Sequence, residues 1–135
     1  MKATTITIAQ RFCGPPESGN GGYTCGLIAE AVDAPVQVRL MVPPPLDVPL
    51  AVRPDTAQAG WLVGSSGVTV AEARPFHLEL EVPQPPSYVV ALDASRGCPG
   101  FKEHAFPTCF VCGPQRTRGD GLRIFAGPVG EGPLY

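Results

Sequence analysis

Two consecutive glycines, Gly21 and Gly22, stand at the start of the clearest helical pattern in this chain. The first four backbone N–H groups of a helix have no partner within the helix, and together with the helix dipole they attract negative charge. Glycine lets an acyl oxygen approach these groups without meeting a Cβ atom. The pair is therefore a candidate oxyanion hole for acyl transfer. Simple turn geometry at a helix start is the structural alternative.

A second candidate feature lies along the same helix. Gly22, Gly26 and Glu30 fall on one i, i+4, i+8 row at the edge of the apolar stripe. A glycine groove that leads to a carboxylate would hold a thioester beside a general base. In the structural alternative, Gly26 lets the helix approach a sheet or another helix, and Glu30 is a solvated side chain. Ser18 and Tyr23, which flank the glycines, are added as candidate substrate-binding residues.

The helix that must position these residues is predicted from Tyr23 to Asp33, where apolar residues recur at helical spacing. Asn20 or Ser18 is the candidate N-cap, because short polar side chains accept a hydrogen bond from the first turn. The pair Ala34-Pro35 ends the helix, since a residue before proline avoids the helical conformation.

Short strands are predicted around this helix from period-2 alternation and turn residues. We expect them at 5–12, 36–42, 50–53, 60–64 and 68–73, with a hairpin turn at 65–67. Further expectations are a strand or extended exit at 76–82, a short helix at 87–95 and a strand at 121–125. One early helix followed by several strands indicates an α+β fold with the helix on one antiparallel sheet.

Composition excludes several classes of function. The 135 residues suit one ordinary domain, and 44% of them are hydrophobic, which is enough for a core. The net charge is −2 and no basic stripe interleaves with aromatic residues, so no nucleic-acid partner is predicted. No apolar run is long enough for a membrane, and the alternating N-terminus lacks a signal-peptide core. We therefore expect a cytoplasmic protein whose five cysteines are thiols.

A resemblance to a known family rests on residues 11–23, which read RFCGPPESGNGGY. This segment resembles the start of a hotdog domain in thioesterases of the phenylacetyl-CoA thioesterase superfamily. In those enzymes a His-Gly-Gly or similar triplet opens the long central helix, and its backbone amide polarises the thioester carbonyl. The resemblance places Asn20 at the position of the usual histidine and matches Gly21 and Gly22 to the two glycines. Asparagine can donate a hydrogen bond but cannot shuttle a proton.

A second resemblance lies near the other end of the chain. Residues 109–114 (CFVCGP) and 121–125 (GLRIF) resemble the opening that precedes the first strand of many such domains. Two opening signatures imply a tandem, double-hotdog layout. The implied division is a hotdog domain at 1–83, a linker at 84–108, and at 109–135 the opening strand of a second, incomplete hotdog unit.

The resemblance implies a fold and an activity. The fold is a hotdog, in which an antiparallel sheet wraps around one central helix. The activity is hydrolysis of an acyl-CoA or acyl-carrier thioester, with Asn20, Gly21 and Gly22 at the carbonyl and Glu30 activating water. No cofactor is implied, and the partner is a second copy in a homodimer or a second hotdog half. The alternative is a non-catalytic hotdog domain that binds acyl thioesters or serves in assembly.

One departure from the family bears on the enzyme hypothesis. The usual carboxylate of the central helix lies one residue before Glu30, where this chain has Ala29. A shift of one residue turns a side chain by about 100° around a helix. A hotdog dehydratase ranks lowest, since it needs a histidine facing a carboxylate, and both His77 and His104 are far from the helix in sequence.

The remaining reactive side chains have simpler interpretations. Cys109 and Cys112, with Cys98 and His104, would supply four zinc ligands in principle, but a single Cys-x-x-Cys is half of a zinc signature, and we predict no metal. Cys25 is expected to pack within the helix. We expect His77 at the surface and Trp61 in the core. Arg116, Arg118 and Arg123 are expected to meet either a CoA phosphate or solvent.

Overall fold

A computed structural model of the chain describes residues 4–57 and 59–132. The chain forms two compact units, Met1–Glu79 and Leu80–Tyr135. The first unit contains the sheet and the longer helix. Its elements are β1 (Thr4–Thr7), α1 (Gly21–Val32), β2 (Val36–Leu40), β3 (Pro49–Asp55), β4 (Gly60–Ser65) and β5 (Val68–Pro75).

The strands form one five-stranded antiparallel sheet with the order β1-β3-β4-β5-β2. The predicted hairpin is confirmed between β4 and β5. Its two connecting residues, Ser66 and Gly67, both have positive φ angles, of 51° and 81°. Two-residue loops of this kind match the right-handed twist of paired strands. The fold class is α+β, as the order of the patterns predicts.

The core forms where α1 packs on the sheet. Ile28 and Val32 of α1 are buried in one cluster with apolar side chains of the strands, among them Leu50 and Val63, which are fully buried. The alternating strand pattern produces this arrangement because every second side chain points to the same face of a sheet. Trp61 is partly buried against the cluster, which confirms its assignment to the core.

The predicted strand at 5–12 is only half correct. The structure ends β1 at Thr7 and turns the chain into a 3₁₀-helix at Gln10–Phe12. Asp47 causes the change of direction, because its backbone N–H donates to Ile8 O (2.8 Å) and its Oδ1 accepts from Gln10 N (3.1 Å). These contacts are far apart in sequence, and period-2 alternation does not reveal them.

The second unit contains a short helix, α2 (Tyr88–Ser95), and a 3₁₀-helix at Pro99–Phe101. The helix predicted at 87–95 is confirmed, with the Ser87 hydroxyl as its N-cap. Residues 121–125, predicted as a strand, carry no strand in the structure. Leu122 N and Ile124 N donate instead to the turn before them, and Arg123 between them has a positive φ of 55°. The segment 76–82 carries no strand either and does not join the sheet.

None of the helices in the described ranges has both the length and the apolar character needed to cross a membrane.

Candidate functional site

Asn20 sets the start of α1 by capping it. Its Oδ1 accepts a hydrogen bond from Tyr23 N at 3.1 Å, and its backbone carbonyl accepts one from Thr24 N at 2.9 Å. The Thr24 hydroxyl is fully buried and donates to the same carbonyl at 2.8 Å. Asn20, rather than Ser18, is therefore the cap, and its side-chain oxygen is committed to the helix.

The next two residues carry the N–H groups that the cap does not satisfy. Within the described part of the chain, neither Gly21 N nor Gly22 N donates to a protein acceptor. Gly21 is half-buried and Gly22 is exposed. A Cβ atom added at Gly22 would meet only Asn20 Oδ1, at 3.6 Å, and one added at Gly21 would meet Leu40 Cδ1 at 3.5 Å. The start of α1 thus presents two adjacent, uncrowded backbone donors.

The loop before α1 is held from several sides. Gly14 N donates to Ser18 O (2.9 Å), Gly19 N to Pro44 O (2.8 Å) and Asn20 N to the carbonyl of the 3₁₀-helix residue Phe12 (2.8 Å). Ser18 is buried, with 8% of its surface exposed. Its backbone carbonyl closes the loop by accepting from Gly14 N. The loop supports the donors of α1 rigidly, which favours preorganised binding of an oxygen atom.

An aromatic pair lines the same end of the helix. The rings of Phe12 and Tyr23 stack with centroids 4.0 Å apart and planes 12° from parallel, and the Arg11 guanidinium lies 5.2 Å from the Phe12 centroid. Tyr23, a candidate binding residue, is therefore engaged through its ring. The sequence does not predict Phe12 as a site residue, because a separation of eleven residues from Tyr23 gives no periodic signal for the contact.

The row of Gly22, Gly26 and Glu30 lies on the exposed face of α1. A Cβ atom at Gly26 would meet nothing within 4 Å, so within unit 1 this glycine does not serve a close approach of the helix to the sheet. Eight residues of helix separate Gly22 from Glu30, a rise of about 12 Å. A carboxylate at Glu30 therefore reaches an acyl group held at Gly22 only through water, since a direct hydrogen bond spans about 3 Å.

Cys25 lies between these residues on α1 and is half-buried. Burial raises the pKa of its thiol above the ordinary value of 9.0, and a backbone hydrogen bond offsets only part of that rise. The thiolate is the nucleophilic form of cysteine, so a raised pKa lowers the fraction of Cys25 that is ready to attack near neutral pH. The prediction that it packs within the helix agrees with its half-buried position.

The other candidates are exposed or already hold hydrogen bonds within the chain. His77 is 88% exposed at its side chain and has Glu79 as its neighbour at 3.7 Å, which confirms a surface imidazole. Arg116 holds its own loop together by hydrogen bonds and does not present its side chain to a phosphate. The side chain is 11% exposed and donates to Thr108 O at 2.8 Å and Asp120 Oδ2 at 3.1 Å. Arg123 donates to the carbonyl of Arg116.

The zinc alternative of the sequence analysis involves three cysteines and a histidine of the second unit. Across the described ranges, no three or more His, Cys, Asp or Glu side chains are grouped so that they could hold a metal ion. His104 Nδ1 accepts a hydrogen bond from Phe106 N at 3.0 Å. The four residues of the zinc alternative therefore have no ligand geometry here.

Known proteins add no relative to this description. No protein-family model matches the chain, and no curated protein or solved structure gives a significant match.

Proposed function

We propose that this protein binds acyl thioesters at the start of α1 and hydrolyses them in the manner of a hotdog thioesterase. The observation that carries the proposal is the pair of adjacent N–H donors at Gly21 and Gly22, which lack a protein acceptor among the described residues. A Cβ atom added at either glycine would meet no atom closer than 3.5 Å. A tetrahedral intermediate of acyl transfer carries a negatively charged oxygen. Paired backbone donors at a helix N-terminus stabilise that charge.

The architecture supports the hotdog assignment. A five-stranded antiparallel sheet packs against the central apolar face of α1, and the helix precedes all strands except β1. That arrangement is compatible with a sheet that wraps around one helix. Together with the resemblance of residues 11–23, it makes a hotdog domain the best account of the first unit.

The acyl chain has a suitable path along the exposed row of α1. Gly22 and Gly26 present no side chains there, and a Cβ atom at Gly26 would meet nothing within 4 Å. At the end of the row, Glu30 is the proposed general base that activates a water molecule. Its axial separation of about 12 Å from Gly22 requires that water to lie between the two groups.

That separation also favours a second function, binding without turnover. Glu30 is exposed, so nothing in the described chain fixes its carboxylate over the acyl carbon. A domain that retains the N–H donors without an aligned base would bind and present a thioester but would not cleave it. Turnover therefore decides between the two functions.

The test is a hydrolysis assay of the purified chain with a panel of acyl-CoA thioesters. If Glu30 activates water, Glu30→Gln lowers kcat by about a hundredfold or more, the usual contribution of general base catalysis. The matched control is Glu81→Gln, which removes an exposed carboxylate from the second unit. Undiminished activity in Glu30→Gln would discard Glu30, and binding of acyl-CoA without release of free thiol would establish the second function.

A further inference from the structure

The second unit brings two thiols into contact, with a third thiol farther off. Cys112 forms a side-chain hydrogen bond with Cys109, and Cys98 is close enough to affect the electrostatics of Cys112. Burial, followed by this contact with Cys109, raises the pKa of the Cys112 thiol. All three cysteines are present as thiols.

The backbone around Cys109 and Cys112 forms a tight turn. Gly113 N donates to Cys109 O at 2.9 Å, which closes one helical turn over the two cysteines. A Cβ atom at Gly113 would lie 2.5 Å from both N and O of Cys109, so this return of the chain requires glycine. Residues at i and i+3 of such a turn have Cβ atoms about 5–6 Å apart. Disulfides join Cα atoms about 4.4–6.8 Å apart and Cβ atoms about 3.5–4.5 Å apart, so a small closure of the turn suffices.

This turn anchors the segment that follows it. Leu122 N donates to Phe110 O and Ile124 N donates to Val111 O, both at 2.9 Å. The two acceptors are the residues between the cysteines. The geometry of the turn is therefore transmitted directly to residues 121–125.

The unit also has little apolar packing to hold that turn. Among its described residues, Cys109 is the only buried apolar side chain, and α2 buries none. Small units without a sizeable core commonly depend on a covalent cross-link or a metal. A disulfide between two thiols of the unit would supply such a cross-link.

We propose that Cys109 and Cys112 form a reversible disulfide by exchange with a low-molecular-weight disulfide, and that this bond fixes the turn that anchors residues 121–125. The Cys112 thiolate, on the half-exposed side of the turn, attacks one sulfur of the small disulfide and releases one small thiol. The Cys109 thiolate then attacks the Cys112 sulfur of the mixed disulfide and releases the second. The protein loses two protons and two electrons, and one small disulfide becomes two small thiols.

The experiment equilibrates the 135-residue chain with mixtures of reduced and oxidised glutathione, then alkylates the remaining thiols and maps them by peptide mass spectrometry. The expected product has Cys109 and Cys112 in one disulfide and Cys25 fully alkylated, and a dithiol reductant reverses it. In the oxidised form the amide hydrogen exchange of Leu122 and Ile124 slows by about tenfold or more relative to the reduced form. The reference is the reduced form of the same wild-type chain, so this comparison does not depend on the folding of any variant.

Two variants sharpen the outcome. Cys98→Ser retains the disulfide, whereas Cys112→Ser leaves Cys109 alkylated at every glutathione ratio. The proposal is overturned if Cys109 and Cys112 are both alkylated throughout, if glutathione stays attached to Cys112, or if Cys98 supplies one of the bonded sulfurs. Unchanged exchange at Leu122 and Ile124 on oxidation overturns the anchoring role.

Discussion

At the start of α1, one residue caps the helix with its side chain and the next two present backbone N–H groups. Asn20, which the family resemblance places at a catalytic histidine position, uses its side-chain oxygen to cap Tyr23 N. The N–H groups of Gly21 and Gly22 are not used by the cap, and the proposed acyl binding therefore depends on them. Sequence reasoning placed these glycines at the start of a helix, and the structure opens α1 with them. It did not find Thr24, whose buried hydroxyl holds the Asn20 carbonyl in place.

Cys25 gives a prediction in pH at the same scale. Its folded-state pKa is raised by burial, so the folded chain favours the protonated thiol. A group of this kind contributes stability that is present below its ordinary pKa of 9.0 and is lost as pH rises through the raised value. The free energy of unfolding should therefore fall between about pH 8 and about pH 10 more in the wild type than in Cys25→Ala. Urea unfolding at both pH values measures this difference. An equal fall in the free energy of unfolding in the two proteins would refute it.

At the scale of elements, the sequence predicts those helices and turns that are set by contacts between residues close together in the chain. The cap of α1, the β4–β5 hairpin and α2 with its Ser87 cap follow from residues within a few positions of one another, and the structure contains all three. The 3₁₀-helix at Gln10–Phe12 was missed because Asp47, thirty-seven residues beyond Gln10, redirects the chain. Residues 121–125 alternate like a strand, but their N–H groups bond to the cysteine turn instead of a ladder.

The capping of α1 makes a quantitative prediction. Asn20→Ala removes the acceptor of Tyr23 N, and loss of such a cap costs about 1 kcal/mol in the free energy of unfolding. Asn20→Asp is the matched variant, because a carboxylate caps equally well and is favoured by the helix dipole. It should retain stability but weaken acyl-thioester binding, since its charge repels a negative oxygen at Gly22. Chemical denaturation and acyl-CoA titration of both variants check this pair of results; equal stability of Asn20→Ala and wild type would contradict the capping role.

At the scale of the whole molecule, the two units differ in how they are held. The first contains the sheet and the apolar cluster, while the second relies on turns and the thiol pair. In the described chain β1 and β2 are the outer strands of the sheet, and such edges offer unpaired backbone groups to another chain. The hotdog proposal therefore predicts a homodimer, with twice the mass of the 135-residue chain in light scattering at micromolar concentration. A monomer under those conditions would count against it.

The backbone donors at Gly21 and Gly22 are tested most directly by NMR of the ¹⁵N-labelled chain with two analogues of an acyl-CoA. One is a ketone in which a methylene replaces the thioester sulfur and the carbonyl remains; the other is a thioether that lacks the carbonyl. If these amides hold the acyl oxygen, the ketone moves the Gly21 and Gly22 proton resonances downfield, as expected for a new hydrogen bond, and the thioether does not. The same shifts with both analogues, or none at either glycine when the ketone saturates the protein, would contradict an oxyanion hole at the start of α1.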